Sequence, residues 1–213
     1  MDAIIFDVDG TLWDSRVPVA HAWNHSIERL TGKPSSFTPE YLGQFFGKTM
    51  DVIVQVLLPD CPPEERLRLG EQIFREENDW LEQEPGTLYP GVEETLAELG
   101  RRWPLYIVSN CQNGYIQVML KTTGLGRFFS GYLSYGDTGE GKGKNLVTLC
   151  RRYGLSAPVY VGDTQGDADA CAEARIPMIY AAYGLGTVAR PWQTIRAFPE
   201  LLGLLPRLEG GAV

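Results

Sequence analysis

Ala3-Ile4-Ile5-Phe6-Asp7-Val8-Asp9-Gly10-Thr11 stands at the head of the chain, and its reading decides the fold. Ala3 to Val8 is a short apolar run with β-branched residues, closed by Asp9-Gly10. Such a run predicts a buried strand that ends in a turn. Residues two apart on a strand point the same way, so Asp7 and Asp9 start on one side of its carboxyl end. In open α/β sheets that end is where ligands bind. Two carboxylates this close repel each other unless a cation or a proton lies between them. Gly10 lets the chain turn sharply. Asp-Gly is also a common turn pair, but the full D-V-D-G-T string is too specific to be a turn alone.

Working outward, four further strands are expected. They are Leu105 to Ser109, Gly131 to Tyr135, Pro158 to Gly162 and Met178 to Ala181. Helical spacing lies between them, over Gly91 to Arg102, Gly114 to Thr122, Asn145 to Tyr153 and Asp167 to Ala174. Alternation of strand and helix predicts a parallel sheet with helices on its faces. Residues 16–85 break that pattern. They hold helix-like segments near Ala20–Leu30, Thr38–Phe46, Met50–Leu57 and Pro63–Leu81, and no buried strand. The expected fold class is therefore α/β, a doubly wound Rossmann-like parallel sheet core with an inserted all-helical cap domain. The core takes residues 1–15 and 86–213 and the cap 16–85, with linkers near Ser15–Val17 and Glu84–Tyr89. Glu209 to Val213 are expected to fray.

Three more constellations sit at expected strand ends or loops. Ser109-Asn110 follows the second strand, where a hydroxyl and backbone N–H groups can hold phosphate oxygens without adding charge. Gly139-Glu140-Gly141-Lys142-Gly143-Lys144-Asn145 is a glycine-rich approach to a helix, and either lysine in it could reach a phosphate and a carboxylate together. Val161-Gly162-Asp163-Thr164-Gln165-Gly166-Asp167 repeats the pattern of a buried strand ending in acids. Asp163 could complete a hard-oxygen magnesium site with the first strand. Asp167 could serve that site or cap the helix.

The chain as a whole limits the partners. Its 213 residues are 44% apolar and 22% charged, within the range of a globular protein, and its net charge is −8. Lys and Arg are scattered, so nucleic acid is not an expected partner. No apolar run spans a membrane and the amino terminus lacks a signal-peptide pattern, which makes the cytoplasm the expected location. Cys61, Cys111, Cys150 and Cys171 form no C-x-x-C pair and are expected as free thiols. A small anionic partner remains compatible with an acidic chain, because a metal and local cations override net charge.

Taken in order, these four fragments resemble the haloacid dehalogenase superfamily over essentially the whole chain. Asp7 to Thr11 match its first motif, Ser109 the second, Lys142 the third, and Gly162-Asp163 with Asp167 the fourth. The phosphoglycolate phosphatase-like branch is the most similar. The resemblance implies a magnesium-dependent phosphatase acting on a small phosphorylated metabolite. It implies that Asp7 attacks phosphorus and carries an aspartyl-phosphate, and that Asp9 is the acid and then the base. It further implies magnesium on the Asp7 and Asp163 side chains and the Asp9 backbone carbonyl. Ser109, Asn110 and Lys142 would bind the phosphoryl group, with Asp167 and Thr11 in support. The resemblance selects Lys142 over Lys144, places a mobile flap at Trp13, and makes Lys48, beside Gly47, the cap candidate for touching substrate. Oligomeric state stays open between monomer and weak dimer.

Departures within the superfamily sharpen the choice. Dehalogenase members lack an acid where Asp9 stands. Sugar-phosphate mutases of the β-phosphoglucomutase type carry Val or Ile where this chain has Thr11, and a hinge histidine where it has Pro18-Val19. They also carry a cap arginine where it has Met50. A mutase, or a non-catalytic phospho-ligand binding protein on the same fold, is the alternative. His21 and His25 share a helix face but lack a third ligand for zinc. Trp23, Trp80, Trp103 and Trp192 read as packing.

Overall fold

The computed structural model describes residues 1–209. Strand β1 (Ala3–Phe6) is fully buried and lies between β4 (Leu105–Ser109) and β6 (Pro158–Gly162), parallel to both. With β5 (Phe129–Ser134), β7 (Met178–Ala181) and β8 (Gln193–Ile195) the sheet runs β5-β4-β1-β6-β7-β8, parallel throughout. Alternate residues serve opposite faces. Ile4, Phe6, Ile107, Val159 and Val161 belong to one apolar cluster, and Ala3, Ile5, Tyr106, Val108 and Tyr160 to the other. A parallel strand buried on both faces reads as an unbroken apolar run, which is why β1, β4 and β6 are visible in the sequence.

The first face is covered by α5 (Val92–Leu99), α6 (Tyr115–Thr123) and α10 (Leu201–Glu209). The second is covered by α8 (Lys142–Tyr153) and α9 (Gln165–Ala174). The first helical region of the chain holds α1 (Arg16–Thr31), α2 (Pro39–Leu42), α3 (Met50–Leu57) and α4 (Pro63–Leu81). Its own core is continuous with the first face, through Trp23, Ile53, Ile73 and Phe74. Trp23 meets Phe74 edge to face at 6.2 Å.

Several expectations change. The helix expected over Thr38–Phe46 is one turn, Pro39–Leu42, because Gly43 follows it and Gly47 (φ 82°) turns the chain before α3. β5 ends at Ser134, since the Ser134 side chain caps a short turn, α7 (Tyr135–Thr138), with Asp137. α8 begins at Lys142, three residues before the expected start. Trp13–Asp14 (β2) and Thr87–Leu88 (β3) pair antiparallel in a two-residue ribbon, just before the first expected linker and within the second, too short to carry a periodic signal. β8 and α10 have no counterpart among the expected elements. β8 is short and partly polar, and α10 contains Pro206. Glu209 is not frayed: it ends α10 and accepts a hydrogen bond from Trp103 Nε1 at 2.8 Å. Residues 210–213 lie outside the described residues. Trp192 is 47% exposed and does not pack.

The ribbon is where the chain leaves the sheet and returns to it. A Cβ at Gly86 would lie 2.8 Å and 2.9 Å from Trp13 ring atoms and 3.0 Å from the Asp14 carbonyl. Gly86→Ala should destabilise the protein by about 1–3 kcal/mol through overpacking. Urea denaturation reads this directly, and an unchanged midpoint would show that the neck has slack.

Candidate active site

Strand order reverses at β1, since the chain continues to β4 on one side and to β6 on the other. That is the switch point of a doubly wound sheet. Asp7 follows β1, and its N–H donates to the Val161 carbonyl at 2.9 Å, which locks it against the end of β6. Asp7, Asp163 and Asp167 are all buried, and one carboxylate oxygen of each lies within 4.8 Å of the others. Lys142 enters from the first turn of α8. Its Nζ is 2.9 Å from Asp7 Oδ1 and also pairs with Asp167 Oδ1. Lys144 is exposed and pairs with Glu140 instead.

Asp167 performs two tasks at once. Its Oδ2 accepts from Thr164 N at 2.9 Å and Thr164 Oγ1 at 2.7 Å, closing a capping box at the start of α9. Its Oδ1 takes Lys142 and the Tyr160 hydroxyl, the latter at 3.2 Å. Asp163 is held differently. Its Oδ2 accepts from Leu185 N at 2.7 Å and Gly186 N at 3.1 Å. Two glycines let this happen. A Cβ at Gly10 (φ 76°) would lie 2.2 Å from Asp163 Oδ2, and one at Gly184 would lie 2.3 Å from the Gly10 carbonyl.

Asp7 and Asp9 have different partners, contrary to the expectation that they face one way. The strand ends at Phe6, so its two-residue alternation does not carry through to Asp9. Asp9 Oδ1 accepts from Trp13 Nε1 at 3.0 Å, Ser15 Oγ at 2.7 Å and Tyr115 OH at 2.6 Å. Its side chain is outside the three-aspartate cluster, while Asp167 is inside it. Asp9, Ser109, Asn110 and Lys48 line one small cavity with Trp23, Glu77, Gln112 and Tyr115. That cavity holds about 30 Å³, room for roughly one water. Asn110 Nδ2 donates to the Gly47 carbonyl at 2.9 Å, tying the end of β4 to the loop before α3. Thr11 is buried with its hydroxyl unpartnered.

Trp13 enters the site through its indole N–H. Ser15, Tyr115, Glu77 and Gln112 join it beyond the expected residues. Ser15 and Tyr115 are a hundred positions apart, and no local pattern pairs them. Glu77 does leave a signal, because it is an acid on the apolar face of α4.

Burial pushes the Asp7 carboxyl up to about 8, against the pull of Lys142 and with the push of Asp167 and Asp163. Burial likewise carries Asp163 to about 7, helped by Asp167. It carries Asp9 to about 6 against its three donors. Burial would raise Asp167 too, but Lys142 and Thr164 outweigh it and hold that carboxyl below its ordinary range. Lys142 is held protonated, since Asp167 and Asp7 outweigh the cost of its burial. One ammonium against three carboxylates leaves the cluster short of positive charge. Asp163 Oδ1 is buried without a hydrogen-bond donor, and Asp7 Oδ1 has only its ion pair with Lys142. An all-oxygen donor set with two such atoms suits a small hard divalent cation.

A profile of the haloacid dehalogenase-like hydrolase family matches residues 4–181. The chain belongs to that family. It is 25% identical over 207 residues to the phosphoglycolate phosphatase of Shigella dysenteriae serotype 1 (strain Sd197), covering 85% of this chain and 81% of the relative. A predicted phosphoglycolate phosphatase from Haemophilus somnus 129PT superposes with a TM-score of 0.83 at 23% identity, over 96% of this chain and 98% of that one. A mutant of CbbY from Rhodobacter sphaeroides, solved in complex with xylulose-(1,5)bisphosphate, superposes with a TM-score of 0.79 at 17% identity, over 94% and 96% of the two chains. The protein is an enzyme of the family's phosphatase type. No helix among the described residues is long and apolar enough to cross a membrane.

The raised carboxyls fix the sign of a pH effect. Unfolded carboxyls titrate near 4, so between pH 5 and 8 the folded state binds more protons through Asp7, Asp163 and Asp9 than the unfolded state does. Stability must then fall as pH rises through that window. The lowered Asp167 acts only below about pH 4, and the raised Lys142 only above about pH 10, so neither reverses the trend. In chelator, the urea midpoint should decline from pH 5 to pH 8, and magnesium should restore it at pH 8. A midpoint that rises over this range would overturn the electrostatic account.

Proposed function

We propose that the protein is a magnesium-dependent phosphatase that hydrolyses a small phosphomonoester through an aspartyl-phosphate on Asp7. One observation carries this reading: Asp7, Lys142, Asp163 and Asp167 share a buried cluster at the ends of β1 and β6.

In this reading the Asp7 carboxylate attacks phosphorus, and the ester oxygen leaves. Asp9, steadied by Trp13, Ser15 and Tyr115, protonates the leaving oxygen. The same carboxylate then takes a proton from the water that hydrolyses the aspartyl-phosphate. Lys142 pairs with Asp7 and neutralises charge on the transferring group, and Asp167 fixes its direction. Ser109 and Asn110 bind the remaining phosphoryl oxygens, with Thr11 in support. Asp7 and Asp163 side chains, with the Asp9 carbonyl, would hold magnesium. When bound, that ion offsets the repulsion between Asp7 and the incoming phosphate.

Residues 16–85 act as a cap over a core of 1–15 and 86–213. A cavity of about 30 Å³ admits no ester, so the cap opens for substrate and closes to exclude water. Asn110 meets the Gly47 carbonyl, beside Lys48, across this closure. The enzyme is read as cytoplasmic, with four free thiols.

Phosphate release from a panel of small phosphoesters tests the reading. Turnover should vanish in chelator and return with magnesium. Asp7→Asn should fall to background with the fold intact. Asp9→Asn should lose about 10²–10⁴-fold. Wild-type turnover by Asp7→Asn would sink the nucleophile assignment.

A further inference from the structure

Glu77 is a carboxyl that the chemistry above does not use. It sits on the helical cap, on α4, and is only 2% exposed. It lines the same cavity as Asp9, the proposed acid toward the leaving group, and as Ser109 and Asn110. Trp23 Nε1 donates to its Oε2 at 2.5 Å. The Gln112 side chain lines the cavity beside it and donates to Asn78 Oδ1 at 3.2 Å.

A buried indole N–H needs one acceptor, and a neutral amide would supply it at lower cost than a carboxylate. An ionised carboxylate can accept about four hydrogen bonds. A single strong donor therefore leaves Glu77 with accepting capacity toward the cavity. Burial pushes the Glu77 carboxyl up to about 8, against the pull of Trp23 and Gln112. An ammonium on a bound substrate would draw it back to the charged form, and a carboxylate would push it further up. The rest of the cap-side lining, from Trp23, Phe46, Met50 and Ile53, offers no donor in that direction except the Trp23 indole already engaged. Lys48 is the one cation on the lining among the described residues. It is solvent-exposed, so its charge is screened.

We propose that Glu77 is a specificity-determining residue: it accepts hydrogen bonds from hydroxyl or ammonium groups on the leaving group and so favours donor-bearing leaving groups over those without a donor. This rests on the phosphatase reading and narrows its substrate class. Met50 and Gln112 also line an adjoining groove of about 510 Å³ between the cap and residues 135–139, which gives a hydroxylated leaving group room to extend. The chain would thus differ in substrate from relatives named for phosphoglycolate.

The test measures kcat/KM with magnesium for glycerol phosphate, phosphoethanolamine, phosphoglycolate and p-nitrophenyl phosphate. The wild type should favour glycerol phosphate or phosphoethanolamine over phosphoglycolate by at least about tenfold, the two arms separating neutral hydroxyl from ammonium recognition. Glu77→Gln keeps the shape and the Trp23 bond. It should shrink that preference at least about tenfold, mainly through KM. Phosphoglycolate as the best substrate of the wild type would overturn the inference, and so would an unchanged ranking in Glu77→Gln. Both results leave the phosphatase reading standing if p-nitrophenyl phosphate is hydrolysed. No hydrolysis of any ester would overturn the two together.

Discussion

The ammonium of Lys142, buried between Asp7 and Asp167, is the interaction on which the rest of the site depends. Among the described residues it is the only positive charge set within the three-carboxylate cluster, and burying any one of those acids unpaired would cost several kcal/mol. The pair also joins two halves of the molecule. Asp7 follows the first strand, whereas Lys142 and Asp167 belong to the helices on the second face of the sheet. Tyr160 extends the arrangement by donating to the Val108 carbonyl while its hydroxyl also reaches Asp167. The core is therefore tied together by the same groups that are proposed to do the chemistry.

The carboxylates are held by complementary means. Asp167 is anchored by its own helix cap, Asp163 by two backbone N–H groups, and Asp9 by three side chains from separate elements. Each anchor limits motion of one oxygen and leaves the other free to meet Lys142 or a ligand. Gly10 and Gly184 make the close approach to Asp163 possible, since any side chain there would strike it. Such fixed donors and acceptors suit phosphoryl transfer, which relies on positioning and charge compensation.

The proposed cap meets the proposed core through an apolar cluster continuous with the first face of the sheet and through polar contacts of modest size. Asn110 reaches the Gly47 carbonyl, Asn78 reaches the Asn113 carbonyl at 2.9 Å, and Lys121 pairs with Glu82 at 2.8 Å on the surface. Exposed pairs of this kind contribute little stability. The permanent connection is the two-residue ribbon of Trp13–Asp14 with Thr87–Leu88. Trp13 belongs both to that ribbon and to the hydrogen bonds on Asp9, so cap position and the proposed acid are mechanically linked.

The sequence by itself determined the sheet and the main site groups. Strands buried on both faces appear as unbroken apolar runs, and the acids at their ends stand beside glycines that only a tight turn requires. Asp7, Asp163 and Asp167 were legible for that reason, whereas Lys142 was chosen over Lys144 only through the family resemblance. The β2–β3 ribbon, β8 and α10 were not, because two or three residues, or a helix interrupted by proline, carry no periodic signal. Only the tertiary structure decided that Asp9 turns to Ser15 and Tyr115, that Asp167 both caps a helix and pairs with Lys142, and that Glu77 faces the cavity. Ser15 and Tyr115 are 100 positions apart and Lys142 and Asp167 are 25 apart. Periodicity reports which face a residue takes on its own element, and the partner on another element is set by packing, which local sequence does not encode.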